Sequence, residues 1–146
     1  EMDGRTVSYN NEEMQFGYRH SALIEAGRPI AVTSVTVTLE KGDEDTIRTA
    51  MREFNARRRE KQPITLPSCG STFKRPEGHF AGTLIDQCGL KGFSVGGAQV
   101  SEKHAGFVIN KGGATCADVL SLMAQVSGIV FEKFGVRLEP EVKVLK

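Results

Sequence analysis

The sequence predicts an α+β fold, because helical and strand-like segments are mixed along the chain without a strict βαβ repeat. Two long amphipathic helical patterns and several short β-like runs predict this class. Hydrophobic residues form 39% and charged residues 25% of the 146 residues, which is typical of a globular protein. The net charge of +1 disfavours nucleic acid and membrane surfaces as partners. No apolar run approaches transmembrane length.

The first forty residues predict two strands and one helical turn. Residues 4–9 are expected to form a short strand, and residues 12–16 a helical turn with Asn11 as its N-cap. Residues 29–39 predict the clearest strand of the chain, because polar and apolar side chains alternate from Ser34 to Leu39. We expect one face of this strand to be buried. The apolar residues of that face are Val35, Val37 and Leu39.

The next segment, residues 43–61, predicts an amphipathic helix. Its apolar residues recur at steps of three and four, as an amphipathic helix requires. These residues are Ile47, Ala50, Met51 and Phe54. Acidic residues occupy the first turn and basic residues the last turn, and both clusters suit the helix dipole. Pro63 ends the helix.

Residues 66–76 contain two prolines and a glycine, so this segment is not a helix. Gly70 permits a sharp turn or the close approach of a ligand. We expect a constrained loop or a short strand that presents Ser71, Lys74 and Arg75 at defined positions. Taken alone, the same segment also suits an ordinary surface turn with solvated cations.

Three shorter elements follow this segment. Residues 80–88 predict a second helix, which Gly89 ends in the left-handed conformation. Glycines interrupt a β-like run at residues 90–101, which suggests backbone packed close to a ligand or to another strand. Residues 107–110 predict a short buried strand.

The longest predicted helix starts after Thr115, which forms a near capping box with Asp118, and ends at Gly135. Residues 136–145 predict a final strand that Pro140 bends. Two carboxylates flank this proline, and a regular strand would point both to one face. They belong to Glu139 and Glu141.

The spacing of the cysteines and histidines does not indicate disulfide or metal chemistry. The cysteines are Cys69, Cys88 and Cys116, and the histidines are His20, His79 and His104. Because the cysteines are odd in number, far apart and without a CxxC motif, we expect reduced thiols in a cytosolic protein. The histidines lack metal-ligand spacing, so no zinc site is predicted.

Five motifs, in this order, carry a family resemblance that covers nearly the whole chain. They are FGYRHS, PSCGSTFKRP, AGTLIDQCGLKG, GGAQVSEKHAGFVIN and LEPEV. Together they resemble the C-terminal part of the UDP-N-acetylenolpyruvoylglucosamine reductase (MurB) family. The absence of an extra tyrosine-bearing loop before residue 43 is similar to the shorter, type II branch.

The resemblance implies a cytoplasmic bacterial flavoprotein of peptidoglycan synthesis. With FAD and NADPH, that family reduces UDP-N-acetylglucosamine enolpyruvate to UDP-N-acetylmuramate. Residues 1–62 are then expected to be a remnant of the FAD-binding lobe, and residues 63–146 the substrate-binding domain. Most of the FAD-binding part is missing from these 146 residues, so the resemblance implies a chain that is inactive by itself.

The family motifs also assign site residues. The arginine of Tyr-Arg-x-Ser matches Arg19, the serine of Gly-Ser-x-Phe-Lys matches Ser71, and the glutamate of Pro-Glu-Val matches Glu141. The resemblance implies that these three are the catalytic residues. The resemblance further implies substrate contacts from Lys61, Lys74, Arg75 and His104. Arg75 stands where many members of the family have a substrate-contacting asparagine. An arginine at this position can still contact a phosphate.

Two other functions stay open beside the reductase. The chain alone would act only as a UDP-sugar-binding module if the FAD lobe is required for activity. A nucleic-acid-binding domain is disfavoured by the near-neutral charge, although the chain has basic residues that such a domain would use. These are Arg57, Arg58, Arg59, Lys61, Lys74 and Arg75. Exposed apolar faces, such as the predicted strand at residues 32–39, suggest that the chain dimerises.

Overall fold

The computed structural model describes residues 4–27 and 30–145, and it confirms the α+β class. The chain divides into two compact units, one up to Lys41 and one from Gly42 onward. The helices are α1 (Ala22–Glu25), α2 (Glu44–Lys61), α3 (Ala81–Gln87) and α4 (Cys116–Phe134). The strands are β1 (Ser68–Ser71), β2 (Ser94–Val95), β3 (Ala98–Val100) and β4 (Phe107–Asn110).

The first unit contains turns and the short helix α1. The predicted strand at residues 4–9 is wrong, because these residues form neither helix nor strand. A hydrogen-bonded turn covers residues 11–15, close to the predicted helical turn. Its cap is Asn10 instead of Asn11, since the Asn10 side chain accepts the backbone N–H of Glu13 at 2.9 Å.

The prediction of a strand at residues 29–39 is also wrong where the structure describes it, from residue 30 onward. Its expected core residues are exposed, with Val35 at 78%, Val37 at 66% and Leu39 at 82%. An alternating pattern stabilises a strand only when a neighbouring strand and a covering layer are present. Within residues 4–27 and 30–145, no strand pairs with this segment.

Helix α2 is confirmed at its predicted place in the second unit. Asp43 is its N-cap and accepts the backbone N–H of Thr46 at 2.9 Å. None of its residues is buried, although the sequence predicts an apolar side. That side is exposed in this structure, and its most exposed large residues are Ile47, Met51 and Phe54.

The strands form one antiparallel sheet in the order β1-β4-β3-β2. Helix α4 packs against β2 and β3, and α3 packs against α4. The largest fully buried apolar side chains belong to these helices and to β3: Ile85, Leu122, Val100, Val126 and Val130. The core therefore lies between the helices and the sheet. The predicted strand at residues 107–110 is confirmed as β4.

The ends of α3 and α4 match the predictions from the sequence. Phe80 and Cys88 are the caps of α3, and Gly89 follows with a φ of +73°. Thr115 and Asp118 form the capping box of α4, and Gly135 ends this helix with a φ of +70°. Hydrogen bonds from the backbone and side chain of Thr115 hold the pKa of the Asp118 carboxyl below its ordinary value.

The prediction of a strand at residues 136–145 is wrong, except for one isolated bridge between Phe73 and Pro140. The bridge lies at Pro140 itself, where the absent proline N–H would face away from Phe73, so the proline limits pairing on its outer side only. The residues on both sides of Pro140 still form backbone hydrogen bonds to residues 72–74, and these bonds define the candidate site.

Candidate functional site

Ser71 is the last residue of β1 and follows a β-bulge. Ser68 pairs with Ile109 and Ser71 pairs with Phe107, so β1 advances three residues while β4 advances two. Gly70 has a φ of +83°, a conformation that favours glycine and suits the extra residue. The prediction of a constrained short strand is thus confirmed, and the bulge sets the position of the exposed Ser71.

The two residues after Ser71 are fixed to the protein core. The backbone N–H of Thr72 donates to Gly106 at 2.9 Å, and its hydroxyl accepts the N–H of Val108 at 2.9 Å. Thr72 is only 4% exposed. Phe73 is part of the hydrophobic core. A serine next to such an anchored pair has little freedom to move along the strand.

Glu141 lies across from this anchored segment. Its backbone N–H donates to the Thr72 carbonyl at 2.9 Å, and the Lys74 N–H donates to the Glu139 carbonyl at 2.8 Å. With the Phe73–Pro140 bridge between them, this register sets Glu141 opposite Thr72, one residue from Ser71. The structure therefore brings two predicted catalytic positions into adjacent register, although they are far apart in the sequence.

The two cations after Phe73 differ in their surroundings. The Lys74 ammonium forms an ion pair with the Glu139 carboxylate. The Arg75 guanidinium lies 4.0 Å from the ring centroid of Phe80, a cation–π contact. Within the described part of the chain, no carboxylate forms an ion pair with Arg75. The Lys74 charge is thus already neutralised inside the protein, whereas the exposed Arg75 charge is available to an anion.

His104 lies in the loop between β3 and β4, close to the same segment. Its Nδ1 accepts the backbone N–H of Gly106 at 3.1 Å, and its ring is edge-on to Phe107 at 4.9 Å. In the neutral ring, Nδ1 is then the acceptor and Nε2 carries the proton. The carbonyl of the same Gly106 accepts the backbone N–H of Thr72, the residue after Ser71. Gly106 therefore connects the His104 ring to the Ser71 segment.

Lys61 is the exposed last residue of α2. In residues 4–27 and 30–145, no hydrogen bond or ion pair joins it to the segment around Ser71. Another lysine connects α2 to the β3–β4 loop, because the Lys103 Nζ donates to the Arg59 carbonyl at 2.7 Å. Lys61 is thus the substrate-binding prediction for which the structure supplies the least support.

Arg19 belongs to the first unit and has an unusual backbone conformation. Its φ is +56°, in the left-handed region that residues other than glycine rarely occupy. Gly17 and His20 form a bridge around it, and its guanidinium lies 5.9 Å from the centroid of the Tyr18 ring. Such strain often accompanies functional positions, and the sequence pattern gave no sign of it.

The described residues contain no group of three or more potential metal ligands. None of the helices among them is long and apolar enough to cross a membrane. Every buried side-chain polar atom among them has a hydrogen-bond partner. A shallow hollow on α2 is lined by Asp45, Thr46, Thr49, Ala50 and Glu53. Its two carboxylates repel phosphate groups, so these residues do not fit a dinucleotide cofactor such as FAD.

The sequence matches one family and several named relatives. The model of the C-terminal domain of UDP-N-acetylenolpyruvoylglucosamine reductase matches residues 62–145, which is more than half of the chain. The reductase of Latilactobacillus sakei is 51% identical over 143 residues, 98% of this chain. The reductase of Caldanaerobacter subterraneus is 52% identical over 136 residues, 93% of this chain.

A solved structure supports the same similarity at the level of the fold. The crystal structure of the UDP-N-acetylenolpyruvylglucosamine reductase (MurB) from Thermus caldophilus superposes with a TM-score of 0.77 at 37% identity. That match covers 94% of this chain and 48% of the Thermus caldophilus chain. The chain likewise spans only 46% and 44% of the two named relatives, or about half of their length.

Proposed function

Because the chain belongs to the UDP-N-acetylenolpyruvoylglucosamine reductase family, we propose that it is the substrate-binding and catalytic C-terminal part of such a reductase. The reaction would reduce UDP-N-acetylglucosamine enolpyruvate to UDP-N-acetylmuramate, a step of peptidoglycan synthesis. The observation that carries this proposal is the paired segment at Phe73 and Pro140, which brings Ser71 and Glu141 into adjacent register within the matched region.

Charge development in the reaction explains the roles of Arg19 and Glu141. Hydride adds to the terminal carbon of the enol ether, and negative charge then builds on the adjacent carbon and spreads into the carboxylate. A guanidinium at that oxygen stabilises the charge where it develops, which is the role proposed for Arg19. Glu141 either donates a hydrogen bond to the same group when protonated or orients the arginine.

Ser71 is proposed to donate the proton that completes the product. A serine hydroxyl is a weak acid, but a carbanion-like carbon is a strong base, so a well-placed hydroxyl serves as general acid. The anchored neighbours Thr72 and Phe73 support this role, because proton transfer requires hydrogen-bond distance to the reacting carbon. After the transfer, solvent returns a proton to the serine oxygen.

The remaining assignments follow the family. FAD, when bound to the complete reductase, supplies the hydride that it receives from NADPH. We assign FAD binding mainly to the half of the reductase that lies outside the matched region. We keep residues 1–62 as the remnant of the FAD-binding lobe and residues 63–146 as the substrate-binding domain. A cytoplasmic location in bacteria completes the proposal.

Substrate binding is proposed for the cations and the histidine near the Ser71 segment. The guanidinium of Arg75, which has no ion-pair partner among the described residues, suits a phosphate group of the UDP moiety. His104 supports a contact through its Nε2–H, because its Nδ1 is already an acceptor. Lys61 remains a weaker candidate for the diphosphate, and Lys74 is considered further below.

The alternative is that these 146 residues act only as a UDP-sugar-binding module that is inactive without the FAD-binding half. Calorimetric titration with UDP-N-acetylglucosamine enolpyruvate, together with a visible spectrum, separates the two cases. Binding without flavin absorbance favours the module, and turnover by the chain alone excludes it.

The exposed residues at positions 32–39 also keep the dimer proposal open, and sedimentation velocity tests it directly.

The reductase proposal is tested by two substitutions in the full-length parent enzyme. We expect Arg19→Ala and Glu141→Gln to leave flavin reduction by NADPH unchanged and to slow flavin reoxidation by the enolpyruvyl substrate. The expected loss is about 10²-fold or more, the usual effect of removing one electrostatic contact to a developing oxyanion. If either variant reoxidises at the wild-type rate, the role assigned to that residue is wrong.

A further inference from the structure

The segment that carries Glu141 has few attachments. Residues 136–145 form no helix and only one bridged residue, and Leu138 is their one buried side chain among those described. The Leu138 carbonyl accepts the Ser127 hydroxyl of α4 at 3.3 Å. After Leu138, Glu139 and Pro140 are exposed, and the next core contact comes from the partly buried Val142.

Two backbone hydrogen bonds fix the register of this segment, one on each side of Pro140. Phe73 and Pro140 face each other as a non-hydrogen-bonded pair, in which neither N–H position points at the partner segment, so the proline costs this pairing no bond. The Lys74–Glu139 ion pair lies at the end of this short ladder, directly next to the Lys74 N–H bond to the Glu139 carbonyl. Main chain and side chains of the same two residues therefore join the two segments.

We propose that Lys74 and Glu139 form a clasp that holds Glu141 opposite Thr72, next to Ser71, and that Lys74 is a positioning residue instead of a substrate contact. This inference rests on the proposed function for its effect on catalysis. The Lys74 ammonium already has an anionic partner, whereas Arg75, the next residue, has none among the described residues. An anionic substrate would thus meet Arg75 and would compete with Glu139 for Lys74.

The expected effect is modest, because the pair is partly exposed. The side chains of Lys74 and Glu139 are 37% and 68% exposed. Ion pairs at such exposure shift a local equilibrium by about twofold to fivefold. Loss of the clasp should therefore raise the hydrogen-exchange rate of the Glu141 amide by about twofold to fivefold, since that amide is bonded to Thr72.

A second ion pair in the same unit provides a matched control. Lys91 and Asp86 are joined at 2.8 Å, with side chains that are 38% and 51% exposed. This pair connects α3 to the loop after it and contacts neither strand of the clasp. Lys91→Met therefore removes a comparable surface ion pair and is expected to leave both the Glu141 amide and turnover unchanged.

The experiment uses the full-length parent reductase with Lys74→Met, Glu139→Gln and the charge swap of Lys74→Glu with Glu139→Lys. Amide exchange at Glu141 is measured by mass spectrometry or NMR, and flavin reoxidation by the enolpyruvyl substrate is measured by stopped flow. We expect both single variants to accelerate exchange and to slow reoxidation by about twofold to fivefold. KM should stay within twofold, and the charge swap should restore both readouts.

Two results would overturn the clasp. One is unchanged Glu141 exchange in both single variants. The other is a rise in KM for Lys74→Met that Glu139→Gln does not share and that the charge swap does not restore, which would identify Lys74 as a substrate contact. If the substrate fails to oxidise the wild-type flavin, the proposed function is wrong, and the amide exchange still decides whether the clasp exists.

Discussion

Gly97 lies in the turn between β2 and β3, and the structure predicts that a single methyl group there is costly. A Cβ at this position would lie 2.4 Å from the backbone N of Ala114, 2.5 Å from the Gly112 carbonyl oxygen and 2.7 Å from the Ala114 Cα. Ordinary contacts of this type are about 1 Å longer. All three atoms are backbone, so no side chain can rotate away from the new methyl group.

The expected cost follows from this crowding. Forcing a methyl group into a packed site costs about 1–3 kcal/mol, and three fixed backbone neighbours set Gly97→Ala toward the upper end. Gly128→Ala adds the same methyl group in the interior of α4, where no atom outside the adjacent helix backbone lies within 4 Å. That variant should be more stable by about 0.5–1 kcal/mol, because alanine favours the helix over glycine.

Urea denaturation of the two variants, monitored by far-UV circular dichroism, measures the difference. We expect their free energies of unfolding to differ by about 2–4 kcal/mol in favour of Gly128→Ala, with equal m-values. Thermal midpoints should separate by about 4 °C for each kcal/mol. Equal stability of the two variants would refute the close approach of the β2–β3 turn to residues 112–114.

Two further stability predictions concern α4. Leu122→Ala should lower the free energy of unfolding by about 2–5 kcal/mol, because Leu122 is 0% exposed. Leu120 is 42% exposed, so Leu120→Ala should cost less than half as much. Equal losses in urea denaturation would argue against this orientation of the helix. The Asp118 carboxyl has a folded pKa below its ordinary value of 3.8, so its stabilising contribution is present above that pH and is lost as the pH falls through the folded pKa. Asp118→Asn should therefore flatten the fall in stability below about pH 4, and an unchanged pH profile of the urea midpoint would contradict the capping box.

Helices were the part of the fold that local sequence predicted well. For α2 and α4, the apolar spacing and the caps Asp43, Thr115 and Gly135 are all contained in the helix itself. The predicted strands at residues 29–39 and 136–145 depended on partners that a pattern does not identify. In the second case only one bridge is present, at Pro140, and the two glutamates around it have different neighbours.

The candidate site was predicted by family motifs and not by spacing. Nothing in the local sequence distinguishes Glu141 from Glu139, whereas the structure pairs Glu139 with Lys74 and bonds the Glu141 backbone to Thr72. The bulge at Gly70 was foreseen as a constrained turn, because glycine and the flanking prolines carry local information. The contact between Arg75 and Phe80 was not foreseen, since it depends on how the intervening turn folds back.

The most direct test of the central claim is the rate of flavin reoxidation in Ser71→Ala of the full-length parent enzyme. Ser121→Ala, which changes an exposed serine of α4, is the control and should reoxidise at the wild-type rate. We expect Ser71→Ala to accept electrons from NADPH normally and to transfer them to the enolpyruvyl substrate about 10²–10⁴-fold more slowly, as for the loss of a general acid. Normal reoxidation, or equal loss of both half-reactions, would contradict the assignment of Ser71 as the proton donor.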